Sequence, residues 1–359
     1  MIVRMLALAL PAAFLASEAP PPPPAPAPVA PAAAPGAPRV IGRSYGVMGT
    51  EARFSIYTAD EARADRAFGA AYDEIKRIEV LMTDWERPGE PESDVVKINK
   101  AAGKAAVKVS PETMAVIEKS LEMSRRSGGA FDITYAAMRG IWKFDEEMDR
   151  TLPPPAEIER RRKLINWRDV IVDVKAGTVK LRRPEMKLGL GGIAKGYAVD
   201  KVAAVLRDAG FRDFMVQAGG DLYVSGRKGT VNWMVGVRDP RGAPTAIIAR
   251  MAIEDQAFST AGDYERSFVL GGKRYHHIID PKTGYPATAS RGVTILAPNA
   301  FLADGLDDAV FILGPKKGMA LVDSYPGCGA VIVDANNQVW TSKSLDGKLV
   351  RTAAPTDGI

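Results

Sequence analysis

The sequence predicts an α+β fold, a mixed but largely antiparallel sheet with flanking helices. Three observations carry this. Several long stretches have helical periodicity. Many short β-rich runs are separated by short turns, which favours antiparallel pairing. The two kinds do not alternate as a regular βαβ series. A chain of 359 residues allows one large domain or two modest ones.

Taken in order, the chain opens with Arg4 followed by a short apolar run from Met5 to Ala16. That run is short for a bilayer span and suits a secretory signal peptide over residues 1–17, with an uncleaved N-terminal anchor as the alternative. Residues 18–39 are Pro/Ala-rich without hydrophobic periodicity and read as a polyproline II tether. The folded body is expected over 40–350, with a short tail at 351–359.

Within the body, residues 45–57 alternate enough for a strand. Residues 59–81 read as an amphipathic helix with Ala67, Ala71, Ile75, Ile78 and Leu81 on one side. Residues 110–127 form a second helix, with Ser110 as N-cap and Pro111 in the first helical position. A third covers 195–209 and is ended by Gly210. A fourth covers 299–313, and a fifth follows at 316–324. Strands are expected at 170–174, 178–181, 214–217, 222–225, 233–237, 246–253, 275–279, 293–297 and 330–333. The sequence shows no internal repeat.

Composition narrows the chemistry. The net charge of +5 is small for this length, and acidic residues are spread throughout. A dedicated nucleic-acid surface is not expected. Cys328 is the single cysteine, and His276 and His277 are the two histidines. A zinc site of the His/Cys type lacks ligands, so a metal would be held by oxygen, as Mg²⁺ or Ca²⁺ is.

Four segments combine glycine, charge and turn chemistry. In Gly189-Leu-Gly-Gly192-Ile-Ala-Lys195-Gly-Tyr-Ala-Val-Asp200, glycines precede a helix whose free N–H groups favour an anion. Lys195 in its first turn opposes the helix dipole, which a bound anion would explain. Gly189, Gly191 and Ala194 match G-x-G-x-x-A, but Pro184 and the missing βαβ frame argue against a dinucleotide fold. A tight packing turn is the plainer reading. In Asp304-Gly-Leu-Asp307-Asp308, three carboxylates share one helix face, opposite Leu302, Leu306, Val310 and Leu313. A divalent cation would relieve their repulsion; a solvated acidic face is the alternative. In His276-His277-Ile278-Ile-Asp280-Pro, His277 could be a general base, a phosphate ligand or a structural residue. In Ser127-Gly-Gly-Ala130-Phe131-Asp132, Phe131 could stack on a flat ring and Asp132 could accept from a ring N–H, or both could serve core and cap. The turn Ala218-Gly-Gly-Asp221 is open in the same way.

Together these segments resemble the FAD:protein FMN transferases of the ApbE family. The likeness begins at Met48-Gly-Thr50 and runs in order through Ser93…Asn99, GGAFDIT, GLGGIAKGYAVDK, AGGDLYVSG, STAGDYER, HHIIDPKTGYP and ADGLDDAVFILG. The resemblance implies a T-fold-like α+β core in an exported, periplasmic enzyme. It implies Mg²⁺-dependent transfer of FMN from FAD to a Thr or Ser of an acceptor protein, with AMP released. FAD would be a substrate, and the acceptor a flavoprotein subunit of a membrane redox complex. FAD hydrolysis to FMN and AMP, or flavin binding without catalysis, are the alternatives. By motif, Met48, Trp85, Ala130, Phe131, Asp132, Gly189, Lys195 and Ile278 would contact the flavin nucleotide. The carbonyl of Gly192 with Asp304, Asp307 and Asp308 would hold the metal, and His277 with Asp304 would serve catalysis. Trp85 stands where the family often has Tyr. Gly189 stands where it often has Asp, and Asp308 where it commonly has Thr.

Overall fold

The computed structural model describes residues 36–144, 148 and 150–359. The expected signal peptide and residues 18–35 of the tether lie outside the described residues.

The centre of the fold is an eight-stranded sheet in which strand order follows chain order. Its strands are Arg39–Val47, Thr50–Thr58, Phe214–Ala218, Asp221–Ser225, Gln256–Gly262, Ser290–Ala297, Gly329–Asp334 and Val339–Thr341. Every neighbouring pair is antiparallel. The sheet is built twice on one plan: two strands, a helical excursion, two strands. In the first half the excursion includes helices Glu61–Met82 and Ala194–Asp208; in the second it is helix Ala300–Asp323.

These three helices pack side by side on one face of the sheet. A small sheet with strand order Leu349–Arg351, Ile247–Ile253, Trp233–Arg238 covers part of the other face. Side chains therefore sort by period two. Ala257, Ile295, Ala330 and Ile332 enter the core beneath the helices, while Phe258, Leu296, Val331 and Val333 meet the small sheet. Strands buried on both faces lose the polar alternation of a half-exposed strand.

Helix boundaries follow local chemistry. Ser110 Oγ accepts from the Thr113 N–H, capping Pro111–Arg126. Gly210, at φ 81°, follows the end of Ala194–Asp208. Asn299 caps Ala300–Asp323, which breaks at Gly314 (φ 70°, ψ −178°) just before Pro315. The break separates the two expected helices, because proline cannot donate to the ladder and glycine takes the left-handed turn.

Two expectations change. The single strand at 45–57 is a hairpin, Arg39–Val47 and Thr50–Thr58, turning at Met48 (φ 53°) and Gly49 (φ 67°). Two consecutive positive φ values give the turn that matches strand twist. The central strand Gln256–Gly262 is not among the expected strands at all. Its small and hydroxyl side chains give neither helical nor period-two hydrophobicity. At the C-terminus, Leu349–Arg351 pairs with Ile247–Ile253, and Thr356 donates from N–H and Oγ1 to Asp239.

Candidate functional site

One cleft of about 850 Å³ gathers most of the motif residues. Met48, Trp85, Ala130, Phe131, Asp132, Gly192, Lys195, His277, Ile278, Asp304, Asp307 and Asp308 all line it. Segments far apart in sequence meet here because the helices Ala194–Asp208 and Ala300–Asp323 cross beside the seam between the two halves of the sheet.

Glycine makes that crossing possible. A Cβ on Gly196 would lie 2.2 Å from the Ala300 carbonyl oxygen. With none there, the Gly196 N–H donates to Asp304 Oδ2 at 2.7 Å. Four residues on, Asp200 accepts from the N–H groups of Ala300 and Phe301, both at 2.9 Å. The Gly-rich segment thus caps the neighbouring helix and fixes its acidic face. Gly220 approaches the Thr260 carbonyl, 2.5 Å from where a Cβ would sit, and so delivers Asp221 to the same place.

The result is a buried acidic cluster. Asp221, Asp304 and Asp307 each present an oxygen within 4.8 Å of the others, and all three are buried. Asp308 is half-buried at its edge; its Oδ2 lies 2.9 Å from where a Gly192 Cβ would be. Lys195 Nζ is 2.7 Å from Asp221 Oδ2 and 3.2 Å from Asp304 Oδ1. Its place at the helix start is therefore explained by two carboxylates of the protein itself, without a bound anion. Burial opposes its charge, but Asp221, Asp304 and Asp307 outweigh burial and hold its pKa well above the ordinary value.

Four carboxylates face that one ammonium, and the imbalance shows at Asp304, Asp307 and Asp308. Burial, then Asp221, pushes Asp304 up to about 7. Burial raises Asp308 to about 6. Burial and the three neighbouring carboxylates raise Asp307 well above its usual range. Ser259 Oγ lies 2.5 Å from Asp221 Oδ1 and 2.7 Å from Asp307 Oδ2. One hydroxyl proton cannot serve two carboxylates, so the second contact calls for a proton on the carboxyl or a cation beside it. Hard, oxygen-only donors at this spacing suit a divalent cation such as Mg²⁺ or Ca²⁺. Asp221 and Ser259 belong to this centre and were absent from the expected ligands. Their signal lay in the Ala218-Gly-Gly-Asp221 turn and the Ser259-Thr-Ala-Gly segment.

The two histidines separate cleanly. His276 is buried; its Nε2 lies 2.8 Å from the Ala287 carbonyl oxygen, and its Nδ1 accepts from the Ile278 N–H at 3.3 Å. It is a structural residue. His277 is exposed on the cleft wall. Its Nδ1 lies 3.2 Å from the Glu265 carbonyl oxygen. A carbonyl only accepts, so Nδ1 carries the proton and Nε2 keeps a lone pair. Desolvation by the cleft wall, then the charges of His276, Arg266 and Lys195, lowers its pKa and keeps it neutral at pH 7.

At the other end of the cleft lie the flat and apolar groups. Trp85 is 54 % exposed, with the Arg139 guanidinium 4.4 Å above the centroid of its ring. Phe131, Ala130 and Ile278 form apolar wall. The Met48 N–H donates to Glu79 Oε1 at 2.8 Å, and Glu79 is held by Arg87 and Lys76. Asp132 is committed elsewhere: Oδ1 accepts from Thr134 N–H and Oγ1, and Oδ2 from the Trp167 N–H. It caps the short 3₁₀ turn Ile133–Met138.

Gly189 is not on the cleft wall. Its N–H donates to the Ile133 carbonyl, and a Cβ there would lie 2.9 Å from Asp84 Oδ2. Asp84 lines the cleft and pairs with Arg139. A carboxylate thus stands beside Gly189 after all, supplied by a different segment.

Known proteins match this chain closely. The sequence profile of the ApbE family covers residues 48–332. The chain is 32% identical over 305 residues to a Klebsiella pneumoniae protein named FAD:protein FMN transferase, covering 85% of this chain and 92% of that one. A Treponema pallidum protein of the same name is 32% identical over 318 residues, covering 83% and 86%. The structure superposes on the Thermotoga maritima ApbE protein with TM-score 0.77 at 31% identity, covering 86% and 98% of the two chains. It shares the fold of the Vibrio cholerae flavin transferase ApbE, TM-score 0.75 at 23% identity, covering 87% and 99%. With the acidic cluster, the Gly-rich helix start and the histidine loop in family order, the chain belongs to the ApbE family.

Proposed function

We propose that this chain is an exported, Mg²⁺-dependent FAD:protein FMN transferase. The observation that carries the proposal is a single cleft joining an aromatic and apolar end to a carboxylate cluster with excess negative charge, beside a neutral histidine. The names of the Klebsiella and Treponema relatives support the same reaction.

FAD would lie with its isoalloxazine toward Trp85, Phe131 and Ile278, and its pyrophosphate toward Lys195 and the acidic cluster. Asp221, Asp304, Asp307 and Asp308 would hold Mg²⁺, which neutralises pyrophosphate charge when bound. His277 Nε2 would take the proton from an acceptor Thr or Ser hydroxyl as its oxygen attacks the FMN-side phosphorus. The new P–O bond forms as the bond to the AMP oxygen breaks, and AMP leaves. Alignment supplies most of the rate in such displacements, and the protein forms no covalent bond to the substrate.

The signal-like residues 1–17 support a periplasmic location, with the acceptor among exported segments of membrane redox proteins. The deciding experiment incubates the chain with FAD, Mg²⁺ and a candidate acceptor, then locates the FMN adduct by mass spectrometry. An adduct on one hydroxyl with stoichiometric AMP is expected. AMP and free FMN in the absence of any acceptor would instead show hydrolysis of FAD.

A further inference from the structure

The small sheet ends in an edge that faces the cleft. Strand Trp233–Arg238 pairs on one side only, with Ile247–Ile253. Four of its six residues, Met234, Val235, Gly236 and Arg238, line the cleft.

Which backbone groups are free follows from the ladder. The Thr352 N–H donates to the Ile248 carbonyl, so Ile248 and Arg250 direct their backbone groups toward strand Leu349–Arg351. By alternation, Ala249, Met251 and Ile253 bond to Val237, Val235 and Trp233. The N–H and C=O of Met234 and Gly236 therefore point away from the partner strand. No backbone hydrogen bond from another described segment reaches them. An open edge beside a site is normally blunted by charge, proline or a covering loop. Here Met234 is 51 % exposed, and Gly236 offers bare backbone.

We propose that this edge docks the acceptor: an extended segment of the acceptor polypeptide adds as a strand along Met234–Gly236, which brings its hydroxyl into the cleft. The proposal rests on the transferase reading, which requires a polypeptide substrate at this cleft. Continuity between edge and cleft selects this surface. Strand addition draws affinity from main-chain hydrogen bonds and so tolerates varied side chains.

The test uses the full chain and a synthetic peptide centred on the hydroxyl found flavinylated by mass spectrometry. Peptides are made with ordinary amides, or with N-methyl groups on one or the other set of alternate amides. Methylation of one set should lower FMN transfer about tenfold or more, the scale of losing two hydrogen bonds, while methylation of the other set has little effect. On the enzyme, Met234→Pro removes an outward N–H without touching the internal ladder. It should raise KM for the peptide about tenfold, with Tm and FAD affinity by flavin fluorescence unchanged. Equal transfer to all three peptides would overturn the proposal, whatever the proline variant does. No AMP release with the unmethylated acceptor would instead sink the transferase reading.

Discussion

Asp304 receives the Gly196 N–H and faces Lys195, so it is both a ligand candidate and a fixed part of the helix crossing. Asp304→Asn keeps the shape and removes one charge. FMN transfer should fall about 10²-fold or more, comparable to losing a group that stabilises transition-state charge, with Tm in EDTA unchanged or raised. His277 differs, since it holds up no neighbouring element and, among the described residues, its ring meets the Glu265 carbonyl alone as a hydrogen-bond partner. His277→Ala should cost about 10²–10⁴-fold in turnover with little change in Tm; unchanged turnover would remove His277 from the chemistry. Gly189→Asp tests a third kind of residue. Its new side chain would meet the Asp84 carboxylate and Ala136, which should destabilise by about 1–3 kcal/mol through overpacking alone. A chemical melt that showed no loss would mean Asp84 can move aside. Asp304, Asp307, Asp308, Lys195 and His277 were singled out through the family resemblance, and the structure gathers all five in one cleft. Asp221, Ser259 and Asp84 were not, because their roles depend on which strands become neighbours.

Among the elements, helices were easier to read than strands. Ser110, Asn299 and Gly210 mark helix ends by local hydrogen bonding or positive φ, and the structure places all three there. The strand Gln256–Gly262 was invisible because Ser259 and Thr260 interrupt its apolar residues, and both faces are covered. The hairpin at Met48-Gly49 was invisible for the opposite reason: alternation continues on both sides of the turn. The two helices that build the acidic site are joined by the absence of a side chain, which gives a sharp expectation. Gly196→Ala would place a methyl group 2.2 Å from a backbone oxygen. Backbone yields less easily than a side chain, so the variant should lose at least about 1–3 kcal/mol and activity together. Full activity with native Tm would show that the crossing relaxes freely.

Across the whole molecule, the acidic cluster burdens stability when no cation is present. The carboxyl groups of Asp304, Asp307 and Asp308 have raised pKa values, so the folded state binds more protons than the unfolded state above about pH 4. Their contribution to stability is favourable at low pH and is lost as pH rises toward 7. Asp307→Asn should therefore raise Tm in EDTA at pH 7.5, with a smaller gain at pH 5, and should reduce the further rise that Mg²⁺ gives the wild type. A Tm difference independent of pH would contradict this account. The sequence-order meander was not legible beforehand, since the strand Thr50–Thr58 meets Phe214–Ala218 only after a long excursion.

That meander also dictates an order of assembly. Gln256–Gly262, Ser290–Ala297, the Ala300–Asp323 helix and the two strands after it contact one another locally, whereas the first half must close a far longer loop to pair Thr50–Thr58 with Phe214–Ala218. Long closures are slow. Asp221 comes from the first half, and Asp304, Asp307 and Ser259 from the second. The acidic pocket is therefore incomplete until Asp221–Ser225 pairs with Gln256–Gly262. A cation held there by carboxylates from both halves would act as a rivet across that seam, resisting their separation more than it speeds their union.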